Sequence, residues 1–202
     1  MAIDSNSYEA QWKASRTAVE AGEVASGAQQ RTLYRAAERH ARRAVQINPR
    51  DAEGHVGLAR ALGRTALAVG KRERVKYAGE VREHALEALK YDPRHAGALH
   101  IMGVWNAEIM RLSGVTRFMA KNFLGGQVFD SASWKDAVRY MEQAVAVEPN
   151  RLIHRIDLAE IYADAGDKAK ARAAFQHVVN APAVQPADAK YKQQAAQALR
   201  SL

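Results

Sequence analysis

Residues 152–181, LIHRIDLAEIYADAGDKAKARAAFQHVVNA, predict two helices joined by a tight turn. Small and apolar residues recur at helical spacing on both sides of a glycine: Leu158, Ala159 and Tyr162, then Gly166, then Ala171 and Phe175. Spacings of three and four place such residues on one face of a helix. Glycine is typical of the position just after a helix end. The stretch therefore predicts a helical hairpin.

Three other segments share the pattern of a helix that ends at a proline: AERHARRAVQINPR (37–50), VREHALEALKYDPR (81–94) and AVRYMEQAVAVEPN (137–150). Small or apolar residues stand twelve, eight and five positions before each proline: Ala37, Ala41 and Ala44, then Val81, Ala85 and Ala88, then Ala137, Met141 and Ala144. Proline lacks an N–H group and restricts the residue before it, so each helix ends there. A new apolar segment follows each proline, which predicts four hairpins in series.

The hairpins differ in length. The spacing is 44 residues from Pro49 to Pro93 and 56 residues from Pro93 to Pro149, against a helical repeat of about 34 residues. We predict repeats at about 8–49, 52–93, 96–149 and 152–181, an insertion at 111–133 and a polar-faced capping helix at 186–201. We expect longer helices around Gly70, a short helix at about 115–124, and a helix N-cap at Ser131 or Ser133.

This arrangement resembles the tetratricopeptide repeat (TPR), whose motif has a leucine–small pair, a tyrosine, a turn, an alanine, a phenylalanine and a closing proline. The hairpin at 152–181 matches the motif almost position by position, and the resemblance covers about residues 8–181. It implies an all-α fold. That fold is a right-handed TPR-type solenoid of four hairpins, with extended second and third repeats and a C-terminal capping helix.

A narrower resemblance covers about residues 85–201. The runs ALHIMGVWNAEI, FLGG and SWKDAVRYMEQAVAVEPN are similar to the C-terminal half of the regulator of microtubule dynamics family, which are tetratricopeptide proteins with bacterial relatives. Gly103, Trp105 and the Gly125-Gly126 pair carry this resemblance, because they lie outside the general repeat consensus. It implies a non-catalytic scaffold that binds a protein or peptide. Some relatives carry signal peptides, which favours a soluble protein exported with its signal removed over a cytoplasmic one.

A TPR solenoid binds its partner along the concave surface lined by the first helix of each pair. In the repeat frame, the exposed positions of those helices are Arg60, Arg64, His100, Val104, Glu108, Ile156, Glu160 and Asp164. This surface is basic toward its N-terminal end and acidic toward its C-terminal end. The lysines and asparagines with which chaperone-binding TPR proteins hold a peptide carboxylate are missing there. We expect the aromatic residues of the insertion to fill part of the groove or to mediate self-association: Phe118, Phe123 and Phe129.

The sequence carries no arrangement typical of catalysis or cofactor binding. The chain has no cysteine, and its seven histidines form no His-Glu-x-x-His motif. We expect His84 and His95 to be exposed beside the turn at Pro93. No glycine-rich phosphate loop is present, and no apolar run approaches the ~18 residues of a membrane span. We therefore predict that the protein is not an enzyme and holds no metal and no cofactor.

The charge of the chain leaves other functions open. Thirty Lys and Arg against 22 Asp and Glu give a net charge of +8, which favours acidic partners. Arginines recur on one face of the helix before Pro49: Arg31, Arg35, Arg39 and Arg42, with Arg43 beside them. A solvated outer face is the simpler interpretation, and binding of nucleic acid or anionic lipid is the alternative. A ligand-binding accessory protein of a transport system is a further alternative, which needs an enclosed pocket bounded by the insertion.

Overall fold

The computed structural model describes residues 6–67, 71–113 and 127–202, and its regular elements in these ranges are all helices. They are α1 (Tyr8–Val24), α2 (Gly27–Ile47), α3 (Ala52–Leu67), α4 (Lys71–Tyr91), α5 (Ala96–Arg111), α6 (Gln127–Asp130), α7 (Trp134–Val147), α8 (Leu152–Asp164), α9 (Lys168–Asn180) and α10 (Asp188–Ser201). Within these ranges, no helix has both the length and the apolar character needed to cross a membrane.

The helices pack as antiparallel pairs in series. α1 packs on α2, α3 on α4, α5 on α7 and α8 on α9, and α10 packs on α9 and α8. The second helix of each of the first three pairs also contacts the first helix of the next pair. Each hairpin thus buries its apolar face against its neighbour, as in helical repeat proteins. The predicted all-α repeat fold is confirmed.

Small residues on the second helices allow this close packing. The residues predicted for these faces are all buried: Ala37, Ala41, Ala44, Val81, Ala85, Ala88, Ala137, Met141 and Ala144. One close approach is between α5 and α7, where a Cβ atom on Gly103 would lie 3.0 Å from Met141 Cε and 3.3 Å from the Ala137 carbonyl oxygen. Only a residue without a side chain fits there unless these neighbours move apart.

The turn between α8 and α9 has the geometry that its glycine predicts. Gly166 adopts a φ of 91°, a conformation that residues with a Cβ atom rarely take. The Asp167 N–H donates to the Tyr162 carbonyl (2.8 Å) and the Gly166 N–H to the Ala163 carbonyl (3.1 Å). These two bonds form a Schellman motif, which satisfies carbonyl groups left free at the helix end. The Asp167 side chain then caps α9 by accepting from the Lys170 N–H (3.0 Å).

The second and third hairpins contain the extra residues. α3 and α4 have 16 and 21 residues, against 13 each in α8 and α9, so the lengthening predicted on both sides of Gly70 is confirmed. The helix predicted at 115–124 lies outside the described residues. After it, Ser133 is the N-cap of α7, where its hydroxyl oxygen accepts from the Asp136 N–H (3.0 Å).

A buried asparagine fixes the point where the chain returns from the insertion. Asn106 on α5 is 2% exposed. Its Oδ1 accepts from the Ser133 N–H (3.1 Å), and its Nδ2 donates to the Met102 carbonyl (2.8 Å). Both ends of the buried amide are therefore hydrogen-bonded, and the start of α7 is held against α5.

Candidate functional site

The first helices of the four hairpins form one continuous face. α1 contacts α3, α3 contacts α5, and α5 contacts α8, while α10 lies against α8. In stacked helical repeats, such a row of helices lines the extended concave surface. The predicted lining residues on this face divide by charge. We call Arg60 and Arg64 on α3 the basic half, and Glu108 on α5 with Glu160 and Asp164 on α8 the acidic half. α1 contributes both signs beside the basic half, with Arg16 and Glu23.

The basic half contains an arginine without an acidic partner. Arg64 forms an ion pair with Glu23 of α1 (Nη2–Oε1 2.5 Å), whereas Arg60 is half-buried and forms no hydrogen bond or ion pair with the residues that the structure describes. Burial is the largest cause that lowers the pKa of Arg60. The positive charge of Arg151 lowers it further, and those of Arg64 and Arg16 add to this. The negative charge of Glu23 raises it. A partly desolvated cation in this position favours a carboxylate ligand.

The acidic half contains the opposite case, a carboxylate without a basic partner. Arg111 at the end of α5 donates to Glu108 (Nη1–Oε1 2.7 Å) and to Asp164 (Nε–Oδ2 2.7 Å). Glu160, one turn before Asp164, is exposed and forms no hydrogen bond or ion pair in the described part of the chain.

The environment of Glu160 disfavours its negative charge. Loss of hydration is the largest cause that raises the pKa of Glu160, although part of the side chain is exposed to solvent. The negative charge of Asp157 raises the pKa further. Arg111 opposes this shift, whereas Asp164 and Glu108 reinforce it. The acidic half therefore attracts a cationic group.

Two histidines join the third and fourth hairpins. His100 Nδ1 on α5 and His154 Nδ1 on α8 lie 2.7 Å apart, so one ring donates a hydrogen bond and the other accepts it. The outer nitrogens lie near carboxylates: His100 Nε2 is 3.2 Å from Asp157 Oδ2, and His154 Nε2 is 2.9 Å from Glu148 Oε2. Burial, followed by the charge of His100, lowers the pKa of His154 to about 4, against the opposing charge of Glu148. His154 is consequently neutral at pH 7.

Two predicted lining residues are less exposed than predicted. Ile156 is 1% exposed and lies in the hydrophobic core of the third and fourth hairpins, together with the capping-helix residue Ala195. The prediction for Ile156 was wrong because α10 packs against α8 and covers this position. Val104 is half-buried against the same core, so it offers only part of its side chain to a partner.

The aromatic residues of the insertion are only partly placed. Phe129 is 3% exposed and packs with Leu62, Trp105 and Ile109 in the core of the second and third hairpins. Its predicted position in the groove is therefore corrected, because this core offers it apolar contacts on neighbouring helices. Phe118 and Phe123 lie outside the described residues.

The concave face also includes residues that the repeat frame does not identify. Tyr191 of α10 is half-buried; burial raises its pKa, the charges of Glu23 and Asp157 add to this, and that of Arg64 opposes it. Tyr191 therefore lies within electrostatic reach of both halves of the surface. The apolar pattern of α10 indicates a cap, but no local signal shows that the cap borders the groove.

The remaining histidines beside the turns are held in hydrogen bonds rather than exposed. His84 Nδ1 lies 2.9 Å from His55 Nδ1, and His55 Nε2 lies 3.0 Å from the Pro49 carbonyl oxygen. His95 caps α5 and approaches Glu53 (Nε2–Oε1 3.3 Å). The predicted exposure of His84 and His95 was wrong, because both are half-buried. In the described ranges, no group of three or more histidine and acidic side chains is arranged to hold a metal ion.

The basic face of α2 is separate from the concave surface. Arg31, Arg35 and Arg39 are exposed and form no hydrogen bond or ion pair with other described residues. Arg42, by contrast, pairs with Glu38 (2.8 Å) and Glu80 (2.7 Å). We call Arg31, Arg35 and Arg39 the α2 stripe.

An array of helical hairpins that pack through small residues and leave one row of first helices open defines a TPR-like protein. The family model of the regulator of microtubule dynamics protein 1-3 matches residues 2–202. This chain belongs to that family.

Individual relatives are distant. Regulator of microtubule dynamics protein 1 of Bos taurus is 23% identical over 150 residues, which cover 73% of this chain and 46% of the relative. The Homo sapiens protein of the same name is 25% identical over 138 residues, covering 68% of this chain and 43% of the relative. The chain thus spans less than half the length of these relatives.

Solved structures agree on the fold. TTC0263, a thermophilic TPR protein in Thermus thermophilus, has a TM-score of 0.67 at 22% identity, over 96% of this chain and 82% of that one. The human IFIT1 dimer solved with m7Gppp-AAAA has a TM-score of 0.53 at 18% identity, over 96% of this chain and 46% of that one. At these identities the similarity concerns the fold alone.

Proposed function

We propose that this protein is a non-catalytic scaffold that binds a protein partner on its concave surface. The observation that carries the proposal is the half-buried Arg60, which forms no hydrogen bond or ion pair with a carboxylate in the described residues, although Glu23 and Glu53 lie within electrostatic reach. Folding alone gives no reason to keep an unpaired charge in such a place, because removing a charge from water costs free energy. A bound carboxylate would offset that cost.

The proposal is tested by affinity capture of proteins from the native organism, with Arg60→Glu compared against wild type. Arg35→Glu on the α2 stripe is the matched control, since both substitutions change the net charge equally and only one lies on the concave surface. We expect partners that Arg60→Glu loses and Arg35→Glu retains. Partners that both variants retain equally would refute a role for the concave surface. Circular dichroism must show that both variants keep their helical content.

The α2 stripe supports a second candidate function, the binding of nucleic acid or anionic lipid. Its three arginines are exposed and spaced by one helical turn, and none has an acidic partner among the described side chains. The IFIT1 structure with a capped RNA fragment is similar to this chain in its fold alone. Binding to RNA, DNA and anionic vesicles should be titrated with salt, because phosphate contacts make affinity fall steeply as salt rises. Loss of that binding in Arg35→Glu, but not in Arg60→Glu, would favour this candidate.

A third role, as a ligand-binding accessory protein of a transport system, stays a prediction. It depends on a pocket bounded by the insertion at 111–133, most of which lies outside the described residues. Self-association through the same segment also stays a prediction, and so does export from the cytoplasm. We do not propose the partner that the name of the relatives implies, because the chain spans less than half of their length.

A further inference from the structure

Among the described residues of the concave surface, two charged side chains of opposite sign have no hydrogen-bond or ion-pair partner. Arg60 stands on α3 and Glu160 on α8, and neither forms a hydrogen bond or ion pair with the described residues. Other charges on the same face are matched, such as Arg64 with Glu23 and Arg111 with Asp164. The surface therefore presents one open cation and one open anion, in hairpins two and four.

We propose that the partner segment is an extended polypeptide with segregated charges, whose acidic end binds at Arg60 and whose basic end binds at Glu160. This inference rests on the proposed function, because it requires that the concave surface binds a protein. It adds the charge pattern of the segment and its orientation across the repeats.

The charge distribution selects a polypeptide over a polyanion. Nucleic acid and anionic lipid carry the same negative charge along their whole surface. Such a ligand would gain at Arg60, but it would meet Glu160, Asp157 and Asp164 at the other end. Like charges at close range repel each other, so the acidic residues disfavour binding of a polyanion. A segment with one acidic and one basic end satisfies both sites at once.

The distance between the two sites sets the length of the segment. α3 contacts α5 and α5 contacts α8, and packed helix axes lie about 8–10 Å apart. Two such steps separate the sites by roughly 16–20 Å, which an extended chain spans in about five or six residues at ~3.3 Å per residue. The half-buried Val104 lies on α5, between the two sites, and His100 of the same helix is hydrogen-bonded to His154 on α8. Uncharged residues suit this middle part of the segment.

The probe is a synthetic peptide with two aspartates, a Gly/Ser spacer of about five residues and two lysines. A second peptide has the same composition with alternating charges. Each is labelled with fluorescein, and binding to the full chain is measured by anisotropy. We expect the segregated peptide to bind about tenfold more tightly, the ratio that two modest ion pairs give together. Equal affinities, or tighter binding of the alternating peptide, would overturn the proposal.

Orientation is read by photo-crosslinking. A benzoylphenylalanine placed beside the aspartates should label α3, and one placed beside the lysines should label α8, as mapped by mass spectrometry. In a charge-exchanged protein, Arg60→Glu with Glu160→Arg, the two labels should exchange helices. The matched control is Arg39→Glu with Glu83→Arg, which has the same net charge and changes two exposed residues outside the concave surface. Labels that do not exchange, or that exchange in the control, contradict the proposed orientation.

The outcomes separate this inference from the proposed function. If capture of a partner depends on the concave surface but the two peptides bind equally, the proposed scaffold function stands and the proposed charge pattern is refuted. If capture does not depend on Arg60, both proposals are refuted. If circular dichroism shows that the exchanged protein does not fold, Arg60→Gln with Glu160→Gln takes its place. That variant must lose the tenfold preference, and a retained preference would refute the two contacts.

Discussion

Protonation of His154 should make the array sensitive to acid. The pair of His154 and His100 makes three contacts: one between the facing Nδ1 atoms and two to Glu148 and Asp157. Protonation of His154 places a positive charge on a buried ring. Burial is the largest cause of its low pKa, the charge of His100 is the next, and Arg151 acts in the same direction, whereas Glu148 opposes them.

The size of the effect follows from the pKa. A histidine in the unfolded chain titrates near 6.5, and His154 in the folded protein titrates near 4. Because the folded-state pKa is depressed, the stabilisation is fully present above pH 6.5 and is lost as the pH falls toward 4. At 1.36 kcal/mol per pKa unit, the full loss is about 3 kcal/mol. About 2 kcal/mol of it is lost between about pH 7.5 and about pH 5.

The measurement is urea unfolding followed by tryptophan fluorescence at several pH values, for wild type and for His154→Gln. The free energy of unfolding of wild type should fall by about 2 kcal/mol more than that of the variant over this pH range. Carboxylates that do not contact the histidine pair contribute equally to both proteins and cancel. His177→Gln is the control, because His177 is exposed on α9 and should alter the pH dependence little. Equal pH dependence of wild type and His154→Gln, or an NMR titration midpoint of His154 near its ordinary value, would refute this reasoning.

Four further substitutions test the packing and the charges. Gly103→Val should lower the free energy of unfolding by about 1–3 kcal/mol, because its side chain has no room against α7. Gly63→Ala should raise it by about 0.5–1 kcal/mol, because a Cβ atom there meets nothing within 4 Å. Asn106→Ala should cost about 1–3 kcal/mol by leaving the Ser133 N–H without its acceptor. Arg60→Gln should stabilise the fold by about 0.5–1 kcal/mol, because it relieves repulsion between arginines. Each value is checked by urea unfolding at pH 7, and a change of opposite sign contradicts the cause given.

The fold could be predicted because its signals are local. A proline that ends a helix, and small residues three and four positions apart, act within one or two turns of chain. The predicted buried trio of each second helix is confirmed for the same reason. α3 and α4 are longer than α8 and α9 as the spacing of Pro49 and Pro93 predicts, since a longer spacing leaves more residues for each helix.

The candidate site could be predicted only in part, because its chemistry depends on contacts between repeats. The pairing of Arg111 with Asp164 joins residues 53 positions apart, and that of His100 with His154 joins residues 54 apart. No spacing rule shows which of several exposed charges finds a partner and which, like Glu160, does not. Ile156 has the repeat position of a surface residue, but the cap that covers it belongs to another part of the chain.

The hydrogen bond from the Ser133 N–H to Asn106 has a consequence for how this family can change. The Asn106 side chain holds the N-cap residue of α7 on the same helix from which the chain departs after Arg111. The register of α7 on α5 is thus held by this amide together with the close packing of Gly103 against Met141 and Ala137. None of these contacts involves the residues between Arg111 and α6. We therefore expect the third repeat to tolerate changes of length there, or the insertion of an engineered domain, provided that Phe129 keeps its place in the core.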